Sequence, residues 1–478
     1  MQPLSQKETK RASDYIMKEG ATTSAKDSVV SSYLTPLALA LGATSEQIGF
    51  MNSFPSLFGN LIQPAAGKYI EARGGKKSTT LIAHALGPIF ILFIALLSFS
   101  SASDKVFGLI IFVAIYQTIL NFGSTAWISW IGDLIPEKIR GEFFGSRNAL
   151  AGIVSLIVSF SAGLLLSAAG EGMGFPIIFG AAALAGFFSY LILRNVPKSP
   201  QAPHGHFDLG IKEFFRDFRG HKNFSNFTYY IFFLNFGIFI ASPFFIVYML
   251  KDLGIGYLGY AFLIAAEAAV AIFSQKYWGR LMDRFGDRTV LGVCGILISF
   301  VPVAFIFTNN IWALLFAQIL AGFAWSGFDL ARFNFLLDST PPQKRPSFIA
   351  NHKLLTGLAI FAGGLAGGFL AAAFAGMQIL FLGGLKILFA LAFILRIIPT
   401  AIFLPRLREQ RVSASQVMPV KNIFWRAVAL YPTQGILHEL VYIDRRVSGW
   451  GRDSVKKIKS KGSRAYGIFY REFLSPRD

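Results

Sequence analysis

The sequence predicts an all-α, polytopic membrane protein with twelve transmembrane helices. Hydrophobic residues make up 54% of the 478 residues and charged residues only 15%, a composition typical of chains that lie mostly in lipid. Twelve segments are long enough to cross the hydrocarbon core, which takes about 20 residues as a helix. Unpartnered backbone amides are not tolerated in lipid, and these segments are too uniformly apolar for barrel strands, so each is expected to be a helix.

The twelve predicted spans follow one another with short connections. They are Met17–Leu41, Gln47–Gly67, Ser78–Phe99, Val106–Gly132, Asn148–Ala169, Gly174–Leu193, Asn223–Leu250, Gly256–Gln275, Thr289–Phe307, Ile311–Leu337, Leu354–Phe374 and Met377–Leu404. The first, eighth, ninth, tenth and twelfth are weaker or interrupted. The longest interior connection is rich in Pro, His and charge and divides the spans into six and six. We therefore predict a cytoplasmic N-terminal segment (1–15), a six-helix bundle (16–193), a cytoplasmic linker (194–222), a second six-helix bundle (223–404) and a basic cytoplasmic tail (405–478).

Basic residues in the loops predict the orientation. The five loops that follow even-numbered spans hold 20 Lys or Arg, whereas the six alternate loops hold only Lys105 and Lys251. Because basic loops stay on the cytoplasmic side, both termini are expected in the cytoplasm and the chain in the cell membrane. The same distribution explains the net charge of +19 by topology and anionic lipid, without a nucleic-acid partner.

Two loop patterns recur in the two halves. Residues 67–77 (GKYIEARGGKK) match residues 279–288 (GRLMDRFGDR) at an offset of 212, and residues 130–136 (WIGDLIP) match residues 335–341 (FLLDSTP) at an offset of 205. Similar offsets indicate parallel repeats related by an axis along the membrane normal. Glycine at 67 and 279 would let another helix approach closely, and a carboxylate four residues on would lie against the positive N-terminus of a helix in the opposite bundle.

These loops resemble the signature of the major facilitator superfamily, whose loop after the second span reads roughly G-x-x-x-D-R-x-G-R-K. The second copy matches well, while the first has Glu71 and Ala72 where the family has Asp and Arg. Residues 133–147 resemble that family's connection between spans 4 and 5. The resemblance covers about residues 15–405 and implies a secondary transporter that moves a small solute by alternating access. It implies a cytoplasmic gate formed by Gly67, Glu71, Arg73, Asp133, Arg140, Arg147, Gly279, Asp283 and Arg284.

Polar and ionisable groups inside spans are costly in lipid and usually face the interior, so they are the first candidates for a solute pathway. The predicted pathway residues are Lys26, Asp27, Asn121, Trp127, Asn235, Glu267, Trp325, Asp329 and Arg332. Packing is an alternative for the Asn and Trp side chains, and Asp329 and Arg332, three apart on one helix, would neutralise each other. We expect Glu19 to cap or anchor its helix, and Arg396 to reach toward the headgroups.

Coupling to a proton through Asp27 or Glu267 is a further hypothesis, with sodium as the other possible ion. The expected partners are a small-molecule substrate and the lipid bilayer, with the chain as a monomer. No Gly-rich phosphate loop occurs and Cys294 is the single cysteine, so no cofactor or metal is expected. The alternatives from other classes are a transporter-like receptor that signals through its basic tail, and a lipid-modifying enzyme, for which no nucleophile or His–acid pair stands at recognisable spacing.

Four glycines fall close together in the eleventh span. Gly363, Gly364, Gly367 and Gly368 form two interleaved pairs with a spacing of four. Small residues at this spacing let helix backbones approach closely. The pattern therefore predicts a tightly packed face on this span, such as a rocking interface needs.

Overall fold

The computed structural model describes residues 6–73, 75–100, 104–135, 137–198, 218, 220–341, 345–380 and 382–409, and these are almost entirely helical. The helices are α1 (Gln6–Ala40), α2 (Ser45–Arg73), α3 (Lys76–Leu96), α4 (Lys105–Leu134), α5 (Glu137–Arg194), α6 (Lys222–Phe239), α7 (Ser242–Val247), α8 (Gly256–Phe285), α9 (Asp287–Phe307), α10 (Ile311–Asp338), α11 (Arg345–Phe374) and α12 (Leu385–Phe403). The predicted tail beyond residue 409 and most of the predicted linker lie outside the described residues.

Within the described ranges, nine helices are long and apolar enough to cross a membrane. One of them, Phe143–Arg194, has 52 residues, more than twice the length of one crossing. It belongs to α5, whose two arms meet at Gly170, where φ of 70° breaks the helix and favours glycine. The two predicted spans on either side of Gly170 are therefore the two arms, 137–169 and 171–194. Helices α1 and α2, which are more polar, add two further helices of 35 and 29 residues.

Three boundaries differ from the sequence prediction. Helix α1 begins at Gln6, and Ala12 is already fully buried, so the helix starts well before the predicted Met17. The seventh span is not one helix, because α6 ends at Phe239 and α7 starts after a turn. The predicted start of the last span at Met377 is wrong, since β1 (Gln378–Ile379) and β2 (Leu382–Gly383) form a small antiparallel hairpin. The last helix, α12, begins only after Gly384.

Helix packing divides the molecule into two halves. In the first half α1 packs on α5, α2 on α4, and α3 on both α4 and α5. In the second half α8 and α9 pack on α10, and α12 packs on α6 and α9. The main contacts between the halves join α2 to α11 and α5 to α8. We call the end that carries the α2–α3 and α8–α9 connections the basic end, and the opposite end the distal end.

The buried apolar residues are distributed unevenly between these two ends. At the distal end one cluster contains residues of both halves, including Tyr33, Phe179, Phe244, Tyr260 and Phe305. Toward the basic end the buried residues form two separate clusters, one around Trp130 in the first half and one around Trp278 in the second. Among the described residues, the halves therefore share a core at the distal end and not at the basic end.

Candidate substrate site

A cavity of 160 Å³ with charged side chains among largely apolar walls lies inside the first half. Its walls come from α1, α3, α4 and both arms of α5. The lining residues are Glu19, Thr23, Lys26, Ala83, His84, Gly87, Pro88, Leu120, Ser124, Trp127, Arg147 and Gly186. On α1 the polar members recur at a spacing of four and three, which places them on one face of the helix. This is the face that packs on α5.

Glu19 is the acid of this cavity, and its side chain is only 1% exposed. One oxygen, Oε2, accepts from Arg147 Nη2 at 3.1 Å. The other oxygen, Oε1, accepts from the Thr23 hydroxyl at 2.8 Å and lies 3.9 Å from His84 Nε2. The expectation that Glu19 caps or anchors the helix start is wrong, because α1 begins thirteen residues earlier, at Gln6. The sequence places Thr23 on one helical face with Glu19 and Lys26, and it lines the cavity with them, whereas sequence reasoning missed His84.

Arg147 belongs to this cavity, although the family resemblance implies a gate role for it. It lies about three turns into the first arm of α5, which carries it away from the loop and into the bundle. Its guanidinium carbon stands 4.7 Å from the centre of the Trp127 ring, a cation–π geometry. Within the part of the chain that the structure describes, Arg147 Nε and Trp127 Nε1 are buried N–H groups without a hydrogen-bond partner.

Lys26 and Asp27 occupy adjacent positions with different environments. The Lys26 side chain is 5% exposed, whereas that of Asp27 is 48% exposed, and Lys26 Nζ lies 3.0 Å from Asp27 Oδ1. The ammonium also stands 5.6 Å from the Tyr116 ring centre. Lys26 therefore lines the cavity, while its partner Asp27 lies at a more exposed position next to it.

Glu267 lies in the second half, on α8. Its Oε2 accepts a hydrogen bond from Gln318 Nε2 on α10 at 3.0 Å. The two helices approach closely at this level, because a side chain at Gly322 would meet the Glu267 carbonyl. About two helical turns closer to the basic end, the hydroxyls of Ser274 on α8 and Ser326 on α10 are 2.7 Å apart and form a second polar contact between these helices.

The remaining predicted pathway residues do not gather at one site. Asn121 packs on Gly59 of α2, since its amide occupies the space of a side chain there, so it serves a helix contact. Asn235 is buried in α6. On α10, Asp329 Oδ1 pairs with Arg332 Nη2 at 2.9 Å and both side chains are substantially exposed. Trp325 packs edge-on against Phe328.

Arg396 is buried in the second half and does not reach the headgroups. Its side chain donates to the carbonyl oxygens of Gly237, Ile298 and Ile238 at 3.2 to 3.3 Å. Two of these carbonyls belong to the last turn of α6, where the regular helical hydrogen bonds end, and the Ile238 carbonyl also accepts from Ala241 N–H at 3.2 Å. The interruption of the seventh span explains why the sequence prediction for Arg396 failed.

The implied gate residues fall into different places. Asp133 pairs with Lys76 at 2.6 Å, which joins α4 to α3 within the first half. Among the described residues no atom lies within 4 Å of a side chain placed at Gly279, and Asp283 and Arg284 are exposed, so the close helix approach expected at Gly279 stays a prediction. The described side chains do not include four of the implied gate positions, which are Gly67, Glu71, Arg73 and Arg140.

The closest contacts between the halves lie at the distal end. A Cβ at Gly49 on α2 would come 2.7 Å from Gly368 Cα and 2.8 Å from the Gly364 carbonyl oxygen on α11. Gly363 and Gly367 instead face the backbone of the seventh span at Phe236 and Ile240. The four glycines therefore form two tightly packed faces, as the sequence predicts.

Tyrosines join α8 to the first half at the same end. Tyr260 donates to the carbonyl of Ser32 at 2.7 Å, and Tyr257 donates to Glu171 Oε1 at 2.7 Å. Tyr33 and Tyr260 also meet edge to face, with ring centres 5.9 Å apart.

Helical halves with a shared core at one end and a polar cavity within the bundle define a membrane transport protein. The chain belongs to the Major Facilitator Superfamily, whose model matches residues 20–274 and 230–443. It is a secondary transporter that moves a small solute across a membrane by alternating access.

The fold is shared with solved structures of low sequence identity. A variant of the nucleoside transporter NupG superposes with a TM-score of 0.66 at 14% identity, covering 82% of this chain and 100% of that one. A bacterial homologue of the human lysosomal transporter Spinster gives 0.66 at 16%, with 85% and 98% covered. A D-xylose-proton symporter gives 0.65 at 16%, with 84% and 98% covered. No curated protein matches the chain by sequence.

Proposed function

We propose that the protein is an ion-coupled transporter of the cytoplasmic membrane that works as a monomer, with both termini and the basic end on the cytoplasmic side. The 20 basic residues in one set of loops against 2 in the other support this orientation. The first bundle then comprises residues 16–193 and the second residues 223–404, with residues 194–222 as the linker.

The observation that carries this proposal is the difference between the two ends. The shared core, the Gly49 contact with α11 and the Tyr260 hydrogen bond all lie at the distal end. At the basic end, a side chain at Gly145 on α5 or at Gly279 on α8 would meet no atom of the described residues within 4 Å. In the proposed orientation this is the arrangement of a transporter that is closed outside and open toward the cytoplasm.

Glu267 is the proposed coupling group, with Asp27 as a second acid on the pathway. Among the described residues no Lys, Arg or His lies within ion-pair distance of the Glu267 carboxylate. Its partner Gln318 is an amide, which accepts as well as donates hydrogen bonds and so suits either protonation state of Glu267. A carboxyl group that alternates between these states is what a coupling proton requires. The D-xylose-proton symporter among the structural relatives makes a proton the first ion to test.

The test is uptake into proteoliposomes, with a panel of radiolabelled organic anions, amino acids, sugars and nucleosides. We expect a pH gradient to drive accumulation of at least one solute. The variant E267Q is expected to lose accumulation but to retain exchange of solute in both directions, because exchange needs no net proton movement. The matched control is D338N, an exposed acid at the basic end of α10, and it should behave like the wild type.

Two results would contradict the proposal. Accumulation by E267Q at the wild-type level would remove Glu267 from coupling, and a sodium gradient that replaces the pH gradient would identify a different ion. Absence of movement for every solute, in either direction, would contradict transport itself.

A further inference from the structure

We propose that the cavity around Arg147 binds the carboxylate of a small organic acid, so that the substrate class is a compact organic anion. This inference rests on the proposed transport function, because it names the solute that the cavity would carry. It depends on three properties of the described residues: unused hydrogen-bond donors, an acid that is already occupied, and the size of the cavity.

The cavity has more donors than acceptors. Arginine carries five N–H groups and lysine three, and neither accepts a hydrogen bond. Arg147 Nε and Trp127 Nε1 are buried and have no partner among the described residues. Buried N–H groups that are left unpaired destabilise a protein. A ligand that supplies acceptor oxygens would satisfy both groups.

The acid of the cavity is already engaged and does not favour a cationic ligand. Glu19 takes hydrogen bonds from Arg147 and Thr23, with His84 close by. A cation in the cavity would have to compete with the Arg147 guanidinium for this carboxylate. An anion would instead meet the Arg147 guanidinium, whose Nε is unused and lies beside Gly20 of α1, and Lys26 forms another wall.

The size and the apolar walls indicate an organic acid instead of an inorganic oxyanion. An engineered protein cavity of about 150 Å³ accepts benzene, and this cavity has 160 Å³. Ala83, Pro88 and Leu120 contribute apolar surface, which a hydrocarbon group would cover and which inorganic phosphate would leave without a partner. A molecule with one carboxylate and a ring or short chain fits both requirements.

The experiment measures binding of benzoate to the purified full-length protein by calorimetry. Benzamide is the uncharged isostere, benzylamine the cation and inorganic phosphate the oxyanion without hydrocarbon. We expect benzoate to bind, and benzamide, benzylamine and phosphate to bind at least tenfold more weakly.

Two variants test the named donors. W127F keeps an aromatic ring under Arg147 but removes the N–H group, and R147K keeps the charge but removes Nε. Each is expected to weaken benzoate binding by roughly tenfold, the value of one hydrogen bond to a charged group of about 1.4 kcal/mol. The control is W312F, because Trp312 is 70% exposed on the outside of α10. Melting temperatures identify any variant that fails to fold. If R147K or W127F fails to fold, the other variant still tests the proposal.

The outcomes separate this inference from the proposed function. No benzoate binding, equal binding of benzamide, preference for phosphate, or unchanged affinity in folded W127F and R147K would each overturn it. If accumulation of another solute persists in proteoliposomes despite such a result, transport stands and only the substrate class is wrong. If benzoate binds as expected but no solute crosses the membrane, the site stands and the transport proposal fails.

Discussion

The Arg396 guanidinium holds the end of helix α6 by donating to the carbonyl oxygen of Gly237 at 3.2 Å, while its Nη2 reaches the next carbonyl, Ile238, at 3.3 Å. The seventh span breaks directly after these residues, at a depth where lipid offers no hydrogen bonds. Arg396 on α12 thus donates to two carbonyl groups at the end of the interrupted helix, of which that of Ile238 also accepts from Ala241 N–H at 3.2 Å. The break and the arginine depend on each other.

Replacing Arg396 should therefore destabilise the second half. In R396M the three hydrogen bonds from the guanidinium are lost, and we expect the free energy of unfolding to fall by at least about 2 kcal/mol. R396K retains a charge but only a compact ammonium group, so its loss should be smaller. The measurement is thermal unfolding in detergent, with R406M as a control at an exposed arginine that lies against Phe403. A melting temperature of R396M equal to that of R406M would refute this role.

A methyl group at Gly49 should separate the halves at the distal end. In G49A the new Cβ would meet backbone atoms of Gly368 and Gly364 at 2.7 and 2.8 Å, and backbone cannot rotate away as a side chain can. We expect faster labelling of S53C by an impermeant maleimide, in a C294S background, because Ser53 is fully buried against Gly364.

The matched control for that substitution is G180A. Gly180 is helical, and a side chain there would meet no atom of the described residues within 4 Å. Alanine at this position should therefore change only the helix propensity. Equal labelling rates in G49A and G180A would show that the α2–α11 contact does not hold the distal end closed.

Removing the Tyr260 hydroxyl should weaken the same closure by another route. Y260F keeps the buried ring but loses the hydrogen bond to Ser32, worth about 1 kcal/mol. The distal-open population should rise roughly fivefold, again measured by labelling of S53C. The control is Y229F, at a tyrosine that is 43% exposed on α6. A labelling rate in Y260F no higher than in Y229F would contradict the prediction.

Glu19 and Arg147 should show strong energetic coupling. A carboxylate that is 1% exposed and an arginine that is 15% exposed stabilise each other, and each alone is a costly buried charge. We expect E19Q and R147M each to reduce stability by about 2 kcal/mol, and the double variant by clearly less than the sum, with a coupling energy of roughly 1–3 kcal/mol. Additive losses, measured by thermal unfolding of all four proteins, would show that the pair does not act as a unit.

The class of fold was readable from the sequence because lipid imposes strong constraints. Apolar runs have to be helices, and the recurrence of residues 67–77 at 279–288 indicates repeated halves. The glycine pairs of α11 also predicted close packing, since small residues four apart let helix backbones approach, but the pattern alone fits a rocking interface and a static helix contact equally well. These signals are local, and each is contained in a short stretch of chain.

The residues that form the cavity could not be predicted from the sequence in the same way. Glu19 was assigned to a helix end because the polar start of α1 hides the true beginning at Gln6. Arg147 was assigned to a loop because its membership in the cavity depends on how far the first arm of α5 extends. Arg396 donates to Gly237 and Ile238 at the break in the seventh span. It also donates to Ile298 in α9, four residues before Pro302, which has no N–H to offer that carbonyl. Such contacts join positions far apart in the sequence, such as Glu19 and Arg147, and need the packed structure.

The most direct test of alternating access is a pair of distance distributions from spin labels, measured in the C294S background. One pair, T44C and L380C, spans the distal end, and the other, S146C and K276C, spans α5 and α8 at the basic end; all four positions are exposed. We predict a short distal distance and a long basic-end distance in the resting protein. Adding a transported solute at acidic pH should produce a second population in which the distal distance lengthens and the basic-end distance shortens. Distances that stay fixed, or that change in the same direction at both ends, would contradict the account.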